Sequence, residues 1–439
     1  MKNIYIETIA PLLRGLTFDG EKGNVSIFED DSKKMGFAFD KIGSEETLPL
    51  YLKEIKNCHL LNKEQLVEKI ISYTIDKFKD YIKKYKQKPK IVILENIGIF
   101  CLGVSYDDAI NVKSNFEDVL KNIKIKSEPS EPQDCTEKKN SKIITDNGCD
   151  RSIEECRNEG TLYRNNIVKN KIAVVTGGAR GFGESITREL TKLECLVFIA
   201  DINVKGARKL AEELNIKYKR TIALPIKVDV TDEDSVRKMI YQIVKKAGGI
   251  DIFISNAGVL KASSVKEMEF SEFAFVNKVN YFGYFLCVKH ASKVMALQNI
   301  PSKKYFTDII QINSKSGLKG SNKNSAYAGS KFGSLGLTQS FALELIDDNI
   351  KVNSICPGNF FEGPLWSDPD KGLFVQYLKT GKVPGAKTIE DVKRFYESKV
   401  LMKRGCTGED VIKAIYYLID QKYETGQAIP VTGGQVMLK

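Results

Sequence analysis

With 439 residues, 42% of them hydrophobic, the chain exceeds one typical domain and carries enough apolar material for a substantial core. Its formal charge of +11 is spread along Lys-, Ile- and Asn-rich sequence without zinc-finger spacing, RNA-binding aromatics or a basic heptad array, so nucleic acid is not an expected partner. No stretch approaches ~18 apolar residues, and no apolar run follows the first lysine, so neither a membrane span nor export is expected.

Residues 1–125 read as a smaller α/β unit. Strand-like pieces at 24–28 and 36–39 precede a stretch from Lys63 to about Tyr85 with Leu66, Ile70, Ile71, Ile75 and Phe78 at helical spacing. Residues 90–94 and 99–103 read as strands, and a helix from Tyr106 opens on Asp107 and Asp108, acids that suit a helix amino end. The run 90–103 followed by Asp107-Asp108-Ala109 resembles the closing part of class II sugar-phosphate aldolases. Those enzymes hold zinc with several histidines, whereas this chain has only His59 and His290. The unit is therefore expected to lack metal chemistry and to serve packing, oligomerisation or regulation. Nine cysteines show no paired metal-ligand spacing and suit free thiols in a reducing compartment, which makes the cytoplasm the expected location. Residues 126–165 are dominated by Lys, Glu, Asn and Asp, open on two Ser-Glu-Pro triplets, and read as a polar linker.

From residue 166 to 439 short buried-strand runs alternate with helical segments. The first run, 172–175, leads directly into Thr176-Gly177-Gly178-Ala179-Arg180-Gly181-Phe182-Gly183. Gly177, Gly181 and Gly183 permit a tight turn and close backbone approach, and the helix that follows aims its positive end at a pyrophosphate. The second run, 196–200, ends at Asp201, whose carboxylate accepts from ribose hydroxyls and repels a phosphate. Arg180 argues the other way, as a partner for an extra phosphate. Burying two like charges together costs more than leaving an arginine solvated, so the expectation is NAD in preference to NADP. Further runs lead 223–228 into Asp229-Val230, 250–255 into Asn256-Ala257-Gly258, 309–312 into Ser314, and 351–355 into Pro357-Gly358, with helices around 233–246, 271–297 and 325–346. This alternation predicts an α/β fold with a doubly wound parallel sheet and ligands at its carboxyl edge.

Tyr327 and Lys331 stand four residues apart, one helical turn, within side-chain reach. An ammonium beside a phenol favours the phenolate and lowers its pKa from ~10, which fits a tyrosine for proton exchange with an alcohol or carbonyl oxygen. A hydroxyl at Ser314 can hold the same oxygen.

Taken together, 176–183, Asn256-Ala257-Gly258, Asn280, Ser314, Tyr327-x-x-x-Lys331 and Pro357-Gly358 resemble the short-chain dehydrogenase/reductase family over about 270 residues. The resemblance implies that Tyr327 is the acid/base, that Ser314 holds the reacting oxygen, and that Lys331 tunes the tyrosine and binds the nicotinamide ribose. It implies that Asn280 completes a tetrad by holding a water behind the lysine, and that Gly177, Arg180, Gly181, Phe182, Gly183, Asp201, Asp229, Val230, Asn256, Tyr327 and Lys331 surround NAD. Segments 311–317, 331–333, 336–340, 403–406 and 431–437 resemble the family's dehydrogenases of sugar-alcohol phosphates, implying a polyol or sugar-phosphate substrate and a dimer or tetramer. Lys315 stands beside the serine and can meet a phosphate as a point charge, with Lys319, Lys323 and Arg404 as further candidates. After Pro357-Gly358 the family often places a threonine near the cofactor, where this chain has Asn359-Phe360-Phe361-Glu362. A bifunctional aldolase-dehydrogenase and a non-enzymatic nucleotide sensor are the alternatives, disfavoured by the scarcity of histidine and by the presence of Tyr327 and Lys331.

Overall fold

The first element, α1 (Lys2–Leu16), is a helix that single-face periodicity does not predict, because it is buried almost all round from Tyr5 to Gly15. The computed structural model describes residues 2–20, 22–30, 49–53, 55, 61–125, 167–370, 372–379 and 381–437; the expected strand at 36–39, His59 and the 126–165 linker lie outside them. After α1 come β1 (Val25–Glu29), β2 (Leu50–Leu52), α2 (Lys63–Tyr85), β3 (Ile91–Leu94), β4 (Gly98–Gly103) and α3 (Tyr106–Ile125). A capping box between Asn62 and Gln65 starts α2, whose Leu66, Ile70, Thr74, Phe78 and Tyr81 form its buried stripe. The four strands make a mixed sheet in the order β1-β4-β3-β2, antiparallel except for the β2–β3 pair.

The second sheet is parallel throughout. It is built from β5 (Ile172–Thr176), α4 (Gly181–Lys192), β6 (Leu196–Asp201), α5 (Val204–Tyr218), β7 (Ala223–Lys227), α6 (Glu233–Ala247), β8 (Ile252–Ser255), α7 (Phe270–Asn277), α8 (Gly283–Asn299), β9 (Thr307–Ile312), α9 (Ser325–Leu345) and β10 (Ile350–Pro357). Short helices α10 (Pro364–Ser367), α11 (Leu373–Lys379) and α12 (Ile389–Ser398) follow, then α13 (Gly408–Asp420) and β11 (Ala428–Val431). The order β11-β10-β9-β8-β5-β6-β7 is the doubly wound, Rossmann arrangement, and it reverses direction between β5 and β8. A crevice at the carboxyl edge of the sheet at that reversal is where such folds take ligands. Strands β5, β6, β9 and β10 are buried along their whole length, which explains why they read as unbroken apolar runs in place of alternation.

One face of this sheet packs on α4, α5 and α13 through residues such as Ile186, Leu210 and Ile415. The other face packs on α6 and α8, and there the core does not stop at the helices: Met239, Ile243, Val288 and Met295 share one apolar cluster with Tyr5, Ile9, Leu13, Phe28 and Phe100. At its centre Arg14, fully buried, forms an ion pair with the Asp251 carboxylate and donates to the Gly23 carbonyl at 2.9 Å. Asp251 also accepts from the Ile172 amide at 2.7 Å, the Gln298 amide at 2.9 Å and the Tyr305 hydroxyl. Phe18 stacks on the Tyr305 ring at 4.3 Å.

Candidate active site

The strand ends deliver the site. Thr176 closes β5, and the turn that follows reaches α4 through Gly177 and Gly181, both at positive φ (61° and 60°), a conformation side-chain-bearing residues rarely adopt. A Cβ on Gly183 would lie 2.1 Å from the Gly177 carbonyl oxygen and 2.6 Å from the Asn256 amide nitrogen, so only hydrogen fits. Asn256, just past β8, donates its amide to the Thr176 and Gly177 carbonyls at 2.9 and 3.1 Å and thereby fixes the turn. Thr176 reciprocates, its hydroxyl accepting from the Asn256 and Ala257 amides at 3.0 and 3.1 Å. No side chain caps the amino end of α4, where Arg180 occupies the cap position with its own side chain exposed. A tight glycine turn feeding an uncapped helix start fits a pyrophosphate held on backbone amides.

Asp201, at the end of β6, is buried, and its two oxygens accept from the Ala179 and Asn203 amides at 3.0 and 2.8 Å. This ties the Asp201 carboxylate to the glycine turn. Val230 is buried against Gly283, and the Asp229 carboxylate turns onto its own loop, accepting from the Thr231 amide and hydroxyl at 2.9 and 2.7 Å. Phe182 stacks on Phe360 at 4.4 Å, so the segment after Pro357-Gly358 closes onto the glycine turn through an aromatic pair.

The second group of residues gathers beyond β9. Ser314 starts a short turn over Lys315–Gly317, with its hydroxyl accepting from the Ser316 amide at 3.1 Å. Asn313, which the sequence reading passed over, holds this turn to α9: its Oδ1 accepts from the Ser314 amide at 2.8 Å and its Nδ2 donates to the Lys331 carbonyl at 3.1 Å. The Lys331 ammonium is buried, donates to the Ile312 carbonyl at 3.0 Å and lies 5.7 Å from the centre of the Tyr327 ring. Asn280 sits in a π-helical turn over Lys278–Phe282 between α7 and α8. Its side chain accepts from the Val259 amide at 2.8 Å and donates to the Val259 carbonyl and the Ser330 hydroxyl at 2.9 and 3.1 Å. It therefore bridges three elements and does not bond its own helix. His290, the other histidine considered for metal, lies 3.0 Å from Glu233.

The electrostatics run against the simple expectation for the tyrosine. Burial pushes the Tyr327 phenol above its ordinary value, a hydrogen bond with Ser314 pulls it back in part, and Cys356 raises it further. Burial also brings the Lys331 ammonium down, to about 8. The expected depression of the phenol by Lys331 is thus corrected: both groups are desolvated, and burial penalises the charged form of each. Among the phosphate candidates, Arg404 is paired with Asp410 at 2.6 and 2.9 Å, while Lys319 and Lys323 are exposed and Lys315 is half-buried.

The comparisons agree with this geometry. The family model described as short chain dehydrogenase matches residues 171–365. Sorbitol-6-phosphate 2-dehydrogenase of Escherichia coli (strain K12) is 36% identical over 271 residues, 61% of this chain and 99% of that protein. The crystal structure of sorbitol-6-phosphate 2-dehydrogenase SrlD from Erwinia amylovora aligns with a TM-score of 0.56 at 38% identity, over 61% of this chain and all of that one. A Pseudomonas aeruginosa RhlG/NADP complex, at 23% identity and a TM-score of 0.53 over 61% of this chain and 97% of that one, shares the fold. Strand order, glycine turn and these relatives converge: the chain belongs to the short-chain dehydrogenases, a family of oxidoreductases that use nicotinamide cofactors.

Proposed function

We propose that the protein interconverts sorbitol 6-phosphate and fructose 6-phosphate with NAD, in preference to NADP. The observation that carries this reading is the gathering of Ser314, Tyr327 and Lys331 at the carboxyl end of β9, beside the glycine turn. The substrate rests on the similarity to sorbitol-6-phosphate 2-dehydrogenases. The cofactor preference rests on Asp201, bonded to the turn at Ala179. Gly177, Gly181 and Gly183 with the start of α4 would hold the pyrophosphate, and Lys331 the nicotinamide ribose. Bound there, the dinucleotide supplies the acceptor or donor of hydride. Ser314 orients the substrate oxygen, and Tyr327 takes the hydroxyl proton in oxidation or returns one to the carbonyl in reduction. Asn280 keeps the π turn, residue 259 and Ser330 in register behind Lys331.

The test is NADH or NADPH absorbance with phosphorylated and free polyols. Sorbitol 6-phosphate with NAD is the expected best pair. Turnover of no polyol with either dinucleotide overturns the reading, and equal use of NADP overturns the weight given to Asp201.

A pH dependence follows from the raised Tyr327. Oxidation needs the phenolate, whose fraction grows as pH rises toward a pKa above the ordinary value. The kcat/KM for oxidation should therefore climb by up to about tenfold per pH unit from pH ~7 to ~9, whereas reduction, which uses the protonated phenol, should stay level near neutrality. A level oxidation profile across that range contradicts the assignment of Tyr327 as the base with an elevated pKa.

A further inference from the structure

The segment between β10 and α13 builds an aromatic cluster of its own. Trp366 lies 5.0 Å from Phe361, 5.1 Å from Phe374 and 5.0 Å from Tyr396, and Tyr377 lies 5.4 Å from Tyr396. Two exposed lysines rest on this cluster. The Lys382 ammonium is 3.9 Å from the centre of Tyr377, and the Lys399 ammonium is 3.9 Å from Phe395 and 5.6 Å from Tyr396. Because Tyr377 and Tyr396 are neighbours, the two ammoniums share one shelf.

The cluster adjoins the site: it takes in Phe361, next to the Phe360 that stacks on Phe182, and packs on Leu260, just past Asn256-Ala257-Gly258. Burial, then Lys319 and Lys399, hold the Lys315 ammonium below its ordinary range, and Lys382 is held down by burial, then by Lys323 and Lys399. Lys399 thus stands within electrostatic reach of both Lys315 and Lys382. Among the described residues none of these five lysines forms an ion pair with a carboxylate. Two of the three acids of α12 are engaged elsewhere, Asp391 with Arg394 at 2.9 Å and Glu397 with Lys393 at 3.9 Å. Like charges gathered without counter-charges favour an anionic visitor, and cation–ring contacts fix the two outer ammoniums without neutralising them.

We propose that Lys382 and Lys399, carried to the cleft by the segment after β10, join Lys315 and Lys319 in binding the phosphomonoester of the substrate. This deepens the sugar-phosphate reading and rests on it. The chemistry suits such an extended set of cations: a polyol whose reacting carbon is at Tyr327 carries its phosphate several bonds away from it. Lysines meet such a dianion as point charges, so the site selects for phosphate without demanding one orientation.

The full-length enzyme and a Lys382→Gln/Lys399→Gln double variant test this in two ways. Both side chains are exposed, so folding is not at stake. The preference for sorbitol 6-phosphate over sorbitol, as a ratio of kcat/KM values, should fall roughly tenfold or more in the variant. Independently, the emission of Trp366, the only tryptophan in the chain, should respond to inorganic phosphate and to sorbitol 6-phosphate, with half-saturation at clearly higher concentration in the variant. A wild type without preference for the phosphorylated polyol, a variant that keeps the ratio, or equal half-saturation in both proteins overturns the proposal. If no polyol is turned over but phosphate binding depends on the two lysines, the anion site stands and the sorbitol 6-phosphate reaction falls.

Discussion

Replacing Tyr327 by Phe should lower kcat by about 10²- to 10⁴-fold, the contribution expected of one positioned acid/base. The ring stays and so does its contact with Lys331, whose ammonium lies 5.7 Å from the ring centre and is anchored separately to the Ile312 carbonyl. What is lost is the oxygen proposed to exchange a proton with substrate. The glycine turn is held by Asn256 and Thr176, neither of which touches the tyrosine, so NADH binding followed by fluorescence should survive. Turnover within a few-fold of wild type would remove Tyr327 from the proton-transfer role. Loss of NADH binding in the same variant would instead make the Tyr327 hydroxyl a requirement for holding the dinucleotide.

The second large effect concerns stability. An Arg14→Met substitution should destabilise the protein by about 3–5 kcal/mol, because it strands the Asp251 carboxylate in the interior after removing the guanidinium paired with it. Burial pushes that carboxylate up, yet Arg14 and the hydrogen bonds around it hold it below the usual range, so the pair favours the folded state above the ordinary carboxylate pKa and loses that contribution as pH falls. Thermal unfolding at pH ~7 should show the loss plainly, and a smaller one in strong acid, where Asp251 is protonated in the unfolded chain. An unchanged melting temperature at neutral pH would mean that Tyr305, Gln298 and the Ile172 amide suffice for the carboxylate.

The parts of the site that are local in the chain are legible in the sequence itself. A glycine turn between a strand and a helix, and Tyr327 one turn from Lys331, are set by spacing within a few residues. The strands could be read because burial on both faces leaves unbroken apolar runs. Three features escaped for physical reasons. Helix α1 is buried nearly all round and contains Pro11, so it shows no polar stripe to mark a helical period. Lys382 and Lys399 acquire meaning only when an aromatic cluster gathers them, with Lys399 acting on Lys315, and nothing in their own neighbourhoods marks them. The direction of the Tyr327 shift depends on desolvation in three dimensions, whereas spacing reveals only that an amine is near.

The ion pair between α1 and β8 also constrains how the chain assembles on the ribosome. Arg14 precedes Asp251 by 237 residues, so at the usual ~5–20 residues per second the arginine waits roughly ten seconds to a minute before its carboxylate has even been synthesised. Throughout that interval Tyr5, Ile6, Ile9, Leu12 and Leu13 form an apolar helix-to-be that β1 and α2 can cover only in part, the rest of its cover coming from α6 and α8. Nascent-chain protection over the first sixteen residues, and slow refolding limited by this long-range closure, are the natural companions of such an architecture.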